Sequence, residues 1–248
     1  MKLLKCLKTG LLLTTFTALE AATFSFFHNT PALAAAPSCS RPTNMVGWWE
    51  FDEVVGTSAV DKTGNNNHGT YNGSLFPSAP PGDGLLKFDG VDDYISVPSA
   101  GTLNVGTGNF TVCFNIKTTS TSNVVETILD KRVESSGPVI TGLHVYTYGG
   151  KVAMQLGDGS TYQNYVSTTS IADGNWHSVI ISVTRNSATG GKMYVDGNLQ
   201  YTFNPTSVQG NITNTTALTI GKRSATTTTA TSYFKNSFDD LVILKTAL

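Results

Sequence analysis

Apolar and polar residues alternate along this chain in short runs that clusters of Gly, Asn, Asp and Pro interrupt, and no long segment keeps the 3.6-residue repeat of a helix. These runs predict strands at 46–51, 85–88, 94–97, 110–117, 127–131, 143–148, 152–156, 176–184, 192–195, 199–203, 217–220 and 238–244. Two hairpin turns stand out, Gly149-Gly150 and Asp196-Gly197-Asn198, because tight hairpin turns need the positive φ that glycine accepts. With no helix to cover a sheet face, so many strands must close into a barrel or pack as two sheets.

Alternation also assigns faces. In 143–148, Leu143 and Val145 point inward, so His144, Tyr146 and Tyr148 share the outer face of a sheet. Aromatic rings in such a row can stack on sugar C–H faces, and tyrosine hydroxyls can bond sugar hydroxyls. The same residues also read as cross-strand pairs that stabilise a sheet face.

The N-terminus changes the picture of where the chain works. Lys2, Lys5 and Lys8 precede the apolar Leu11-Leu12-Leu13, and Ala32-Leu33-Ala34 is a small-x-small cleavage site, which predicts a secretory signal over 1–34. Thr14, Thr15, Thr17, Glu20, Ser25 and His28 interrupt the apolar stretch too often for a membrane span. The rest divides into an N-terminal arm at 35–45 and one domain at 46–248, long enough for a single sizeable core. Cleavage removes three lysines and one glutamate from a chain whose formal net charge is −1. The slightly acidic remainder has no basic patch for nucleic acid and no polybasic membrane segment. Cys6 leaves with the signal, and Cys39 and Cys113 remain in an oxidising compartment.

Several blocks, in order, resemble the laminin-G-like, concanavalin-like jelly-roll domains of secreted glycan- and matrix-binding proteins. They are Trp48-Trp49-Glu50-Phe51-Asp52-Glu53 with the loop at 61–70, the Gly turn and acidic pair of 88–98, Gly174-Asn175-Trp176-His177-Ser178-Val179 running on to Met193-Tyr194-Val195-Asp196-Gly197, and the closing segment 238–248. The resemblance spans 46–248 and selects, from the two all-β architectures, the two-sheet antiparallel jelly-roll sandwich. Pentraxin-like relatives carry a half-cystine on the strand of Cys113, but their partner position near Trp176 holds no cysteine here. A Cys39–Cys113 disulfide is the expectation, beside the alternative of two free thiols.

The resemblance also implies a structural calcium held by Asp52, the Gly90 carbonyl and Asp239. Hard cations of this kind take carboxylate and carbonyl oxygens. Strict alternation places Asp239 on the same face as Leu241 and Ile243, where an unpaired acid would be costly. The opposing reading is that these acids cap turns, Asp61 and the Asn65–Asn67 run being strong turn formers.

Catalysis finds less support. Glucanases of this fold use Glu-x-Asp-x-x-Glu, and Glu50-Phe51-Asp52 begins that pattern, but Val55 and Gly56 stand where the second glutamate belongs. Beyond the signal, Glu50, Glu53, Glu126 and Glu134 are the glutamates, and none pairs at strand spacing. His177 reads as structural at the head of a core strand, and neither a nucleophile elbow nor a zinc cluster is present. The expectation is a secreted, non-catalytic, calcium-stabilised module that binds an extracellular carbohydrate or matrix protein. A carbohydrate-active enzyme and a purely structural matrix protein are the alternatives.

Overall fold

The computed structural model describes residues 44–53, 56–73, 75, 85–134, 139–224 and 232–248. The predicted signal, residues 35–43 of the arm, Cys39 and the threonine run at 226–229 lie outside the described residues.

Two antiparallel sheets face one another. The seven-stranded sheet has the order β1 (Met45–Trp49), β15 (Lys235–Leu244), β6 (Phe110–Lys117), β11 (Trp176–Val183), β12 (Gly191–Val195), β13 (Asn198–Phe203), with β4 (Leu86–Asp89) also on β15. The eight-stranded sheet runs β10 (Tyr162–Ser170), β9 (Lys151–Asp158), β8 (Ile140–Tyr148), β7 (Glu126–Glu134), β14 (Leu218–Ile220), β5 (Tyr94–Val97), β3 (Gly69–Asn72), β2 (Ser58–Ala59). A single 3-10 turn at Gly101–Leu103 is the helical element among the described residues. This is the two-sheet all-β jelly-roll sandwich that the alternation and the resemblance predict.

Side chains from alternate positions fill the space between the sheets. Val179, Ile181 and Val183 of β11 are fully buried, as are Phe110, Val112 and Ile116 of β6. Phe238 of β15 sits at the centre of a ring cluster, 5.6 Å from Phe114 and 5.9 Å from Phe51 between centroids. Tyr165 of β10 stacks on Phe203 of β13 at 4.0 Å, tying an edge of each sheet to the other. Gly191 lies across that ring, where a Cβ would fall 2.1 Å from Phe203 Cε2, so no larger residue fits without displacing it. Both predicted hairpin turns form: Gly149 and Gly150 have φ of 59° and 73°, and Asp196 and Gly197 have 51° and 74°.

The structure corrects the phase reading of the last strand. Asp239 pairs with Asn115 but Val242 pairs with Cys113, so two residues of β15 oppose one of β6. The extra residue, Asp240, takes up a positive φ of 52°, and this β-bulge reverses the alternation. Phe238, Leu241 and Ile243 point into the core, while Asp239 shares the outer face with Val242. The cost argument for a metal at Asp239 therefore disappears.

Candidate functional site

Strands β7 to β10 form a meander whose outer face carries the predicted row. Register places Asp130, His144, Gln155 and Asn164 side by side across the four strands. Gly142 stands opposite Arg132 with φ of 129°, and a Cβ there would meet the Lys131 carbonyl at 2.1 Å, so β7 and β8 approach closely only because the residue is glycine. The result is a hollow of about 350 Å³ lined by Arg132, His144, Tyr146, Tyr148, Asn164 and Arg223, among others.

A charged network forms its floor. Arg132 Nε donates to Asp130 Oδ1 at 3.0 Å, its Nη1 lies 2.8 Å from Glu134 Oε1, and Arg223 Nη2 donates to both Glu134 oxygens at 2.7 Å. Arg132 also donates to the Gln155 amide oxygen. Gln155 Nε2 and the Tyr146 hydroxyl then both donate to Asn164 Oδ1, at 3.0 and 3.3 Å. Such paired charges hold a surface rigid, although they contribute little net stability.

Burial sets the electrostatics. It pushes the fully buried Asp130 carboxyl up to about 6, against the pull of Arg132 and the Ser224 amide. His144 is held well below the ordinary histidine range, first by burial and then by Arg132 and Arg223, so its ring is neutral. That ring stacks on Tyr146 at 4.8 Å, and its Nε2 shares a 3.0 Å hydrogen bond with the Thr127 hydroxyl. On the opposite side of β7, burial lowers Lys131 to about 8, and its ammonium donates to the Asn214 and Thr216 carbonyls.

The three residues singled out from sequence thus meet in one hollow but differ in role. Tyr148 is 43% exposed, whereas His144 and Tyr146 are buried and form its floor. Sequence reading missed Asp130, Arg132, Glu134, Asn164 and Arg223. The charged residues at 130, 132 and 134, repeating with the period of a strand, were the available signal.

The residues chosen for calcium do not come together. Gly90 lies against Lys235, with a would-be Cβ 2.9 Å from Lys235 Cβ, and Asp239 is four residues further along β15, about 13 Å at the usual strand rise. Gly90 and Asp239 therefore lie too far apart to share one ion. Asp52 lies near Tyr71 and Asp240, whose acidities it lowers. The Asp61 carboxylate is held by backbone amides, accepting from the Trp48 N–H of β1 and from the Thr63 and Asn67 N–H groups of its own loop. Asp89, Asp92 and Asp93 have carboxylate oxygens within 4.8 Å of one another, two of these groups accepting hydrogen bonds from the turn's own N–H groups.

Cys113 is buried in a small cluster with Ile180, Val242 and Leu244 on the outer face of the seven-stranded sheet. No helix among the described residues is long and apolar enough to cross a membrane.

Residues 89–248 match the family described as the concanavalin A-like lectin/glucanases superfamily, and the chain belongs to it. A comparison with curated proteins gives no match. Among solved structures, the binding domain of Paraclostridial Mosquitocidal Protein 1 is similar with a TM-score of 0.64 at 14% identity, over 83% of this chain and 49% of that one. The binding domain of botulinum neurotoxin DC, solved with rat synaptotagmin II, has a TM-score of 0.63 at 15% identity, over 83% and 49% of the two chains. The ligand-binding domain of botulinum neurotoxin serotype D, solved with N-acetylneuraminic acid, gives 0.63 at 16% identity, over 83% and 48%. This chain spans about half the length of each, and at these identities the likeness shows the fold.

Proposed function

We propose that this protein is a secreted, non-catalytic binding module whose ligand is an extracellular carbohydrate, held in the hollow on the outer face of the eight-stranded sheet. One observation carries the reading: an exposed aromatic ring, Tyr148, lines the same hollow as prearranged hydrogen-bonding groups, Asn164, Gln155 and the Arg132 guanidinium. Apolar walls with a few fixed polar groups are what a sugar site requires. The family and the ligand-binding neighbours support it, one of those neighbours having been solved with a sugar acid and another with a protein.

The carboxylates support a role without turnover. Asp130 is fully buried, Glu134 is held by two arginines and Glu126 accepts from the Thr147 hydroxyl, whereas glycoside hydrolysis needs two carboxyls facing the substrate. Secretion with loss of 1–34, a Cys39–Cys113 bridge and calcium stabilisation belong to the same proposal and rest on the sequence. A glycan array of residues 35–248, run with calcium and with chelator and followed by product analysis, tests it. Binding without product supports the module. Reproducible cleavage that Glu134→Gln or Asp130→Asn abolishes replaces it with the enzyme, and no binding to any glycan removes the carbohydrate ligand.

A further inference from the structure

The outer face of the seven-stranded sheet is divided. One part is the buried apolar cluster of Cys113, Ile180, Val242 and Leu244. In the other, register aligns Ser178 of β11 with Asn115 of β6 and Asn115 with Asp239 of β15. The β12–β13 turn extends the row with Asp196, whose N–H donates to the Ser178 carbonyl at 2.9 Å. Trp176 lies two residues before Ser178, on the same side of β11, and is 41% exposed. With His177 these residues line a hollow of about 450 Å³.

The polar groups are fixed in advance. Asp196 Oδ1 accepts the Ser178 N–H at 3.0 Å, and its Oδ2 bonds His177 Nδ1 at 2.8 Å. His177 Nε2 bonds Asp173 Oδ1 at 3.0 Å, and Asn115 Nδ2 donates to Asp240 Oδ2 at 3.1 Å. The Asp196 carboxylate keeps about half its surface in solvent, so lone pairs remain for a ligand.

We propose that this hollow is a second ligand site, which takes a neutral sugar residue. The indole of Trp176 offers a flat apolar face for a pyranose ring, and acceptor-only carboxylates at Asp196 and Asp239 match sugar O–H donors. Asp173, Asp196, Asp239 and Asp240 outnumber His177 and Lys117 around it, so an anionic glycan is repelled. The inference does not depend on the hollow of the eight-stranded sheet. With both filled, one molecule joins two glycan chains across the sandwich.

Tryptophan emission reads this site, because Trp49 is fully buried and Trp48 half-buried while Trp176 is exposed. Residues 35–248 are titrated with cellohexaose, mannohexaose, N-acetylchitohexaose and oligogalacturonate, with amide NMR alongside. The expected result is a blue shift with at least one neutral oligosaccharide, amide shifts at Ser178 and Asp196, and no response to oligogalacturonate. Trp176→Ala and Asp239→Asn should each weaken that binding about tenfold, roughly 1.4 kcal/mol, while melting like wild type. Silence from the whole panel, an equal response to oligogalacturonate, or neutral-sugar binding that both variants leave intact overturns the proposal.

Discussion

His177 Nδ1 lies 2.8 Å from Asp196 Oδ2, joining the head of β11 to the turn between β12 and β13. Its other ring nitrogen reaches Asp173. A neutral imidazole has one N–H and cannot donate to both carboxylates, so the geometry calls for the protonated ring. Partial burial opposes that charge, but the hydrogen bonds to Asp196 and Asp173 outweigh it and raise the histidine above its usual 6.5. Asp173 is correspondingly held down at about 2, first by the Asn175 N–H and then by His177.

The first prediction follows from the sign of that shift. A histidine whose pKa is raised on folding contributes stability fully below about 6.5 and loses it as pH climbs through the folded value. His177→Gln should therefore lower the melting temperature at pH 6 more than at pH 9. An NMR titration that places His177 at or below 6.5, or an equal loss at both pH values, contradicts it.

Asp130 behaves in the opposite chemical sense with the same sign. Its carboxyl is raised to about 6 by burial, so the stability it contributes is present below about 3.8 and declines as pH rises through 6. The stability difference between wild type and Asp130→Asn, from urea melts, should shift against the wild type between pH 4 and 7. Asp130→Ala, which strips a buried partner from Arg132, should cost about 3 kcal/mol at neutral pH.

The contact between Gly191 and Phe203 supplies a packing test. Gly191→Ala should destabilise by about 1–3 kcal/mol, because the new methyl meets the ring that stacks on Tyr165. Adding Phe203→Leu should recover part of that loss, giving a clear coupling in a double-mutant cycle. Additive costs would place the strain elsewhere.

Asp52, Gly90 and Asp239 do not share one ion, and this sets an expectation for calcium. If melting responds to the metal, Asp52→Ala and Asp239→Ala should leave that response unchanged, as measured by melting in calcium and in chelator. Loss of the response in both variants would restore the ligand set expected from sequence. Non-reducing peptide mapping decides the Cys39–Cys113 bridge.

Most strands were legible because one face of each packs into the core and alternation records it, as in Val179, Ile181 and Val183. Strand β10 was not, since Tyr162–Ser170 is a polar edge strand with only Tyr165 and Ser167 buried. The two-residue β2 is too short to show a period. The bulge at Asp240 was not legible because Asp tolerates positive φ without requiring it, and the bulge turned a correct strand into a wrong face for Asp239. The aromatic row of β8 could be read from alternation alone. Its partners could not, because Arg223 lies 89 positions from Glu134 and only the fold brings them together.

The most direct test of the account is isothermal titration of the strongest glycan-array ligand into wild type, Tyr148→Ala and Asn164→Ala. Tyr148 is exposed and Asn164 accepts its hydrogen bonds at the surface of the hollow, so neither change should disturb folding. Each change should weaken binding about tenfold or more, with melting temperatures close to wild type. Affinities unchanged in both variants would contradict it and move the ligand off the outer face of the eight-stranded sheet.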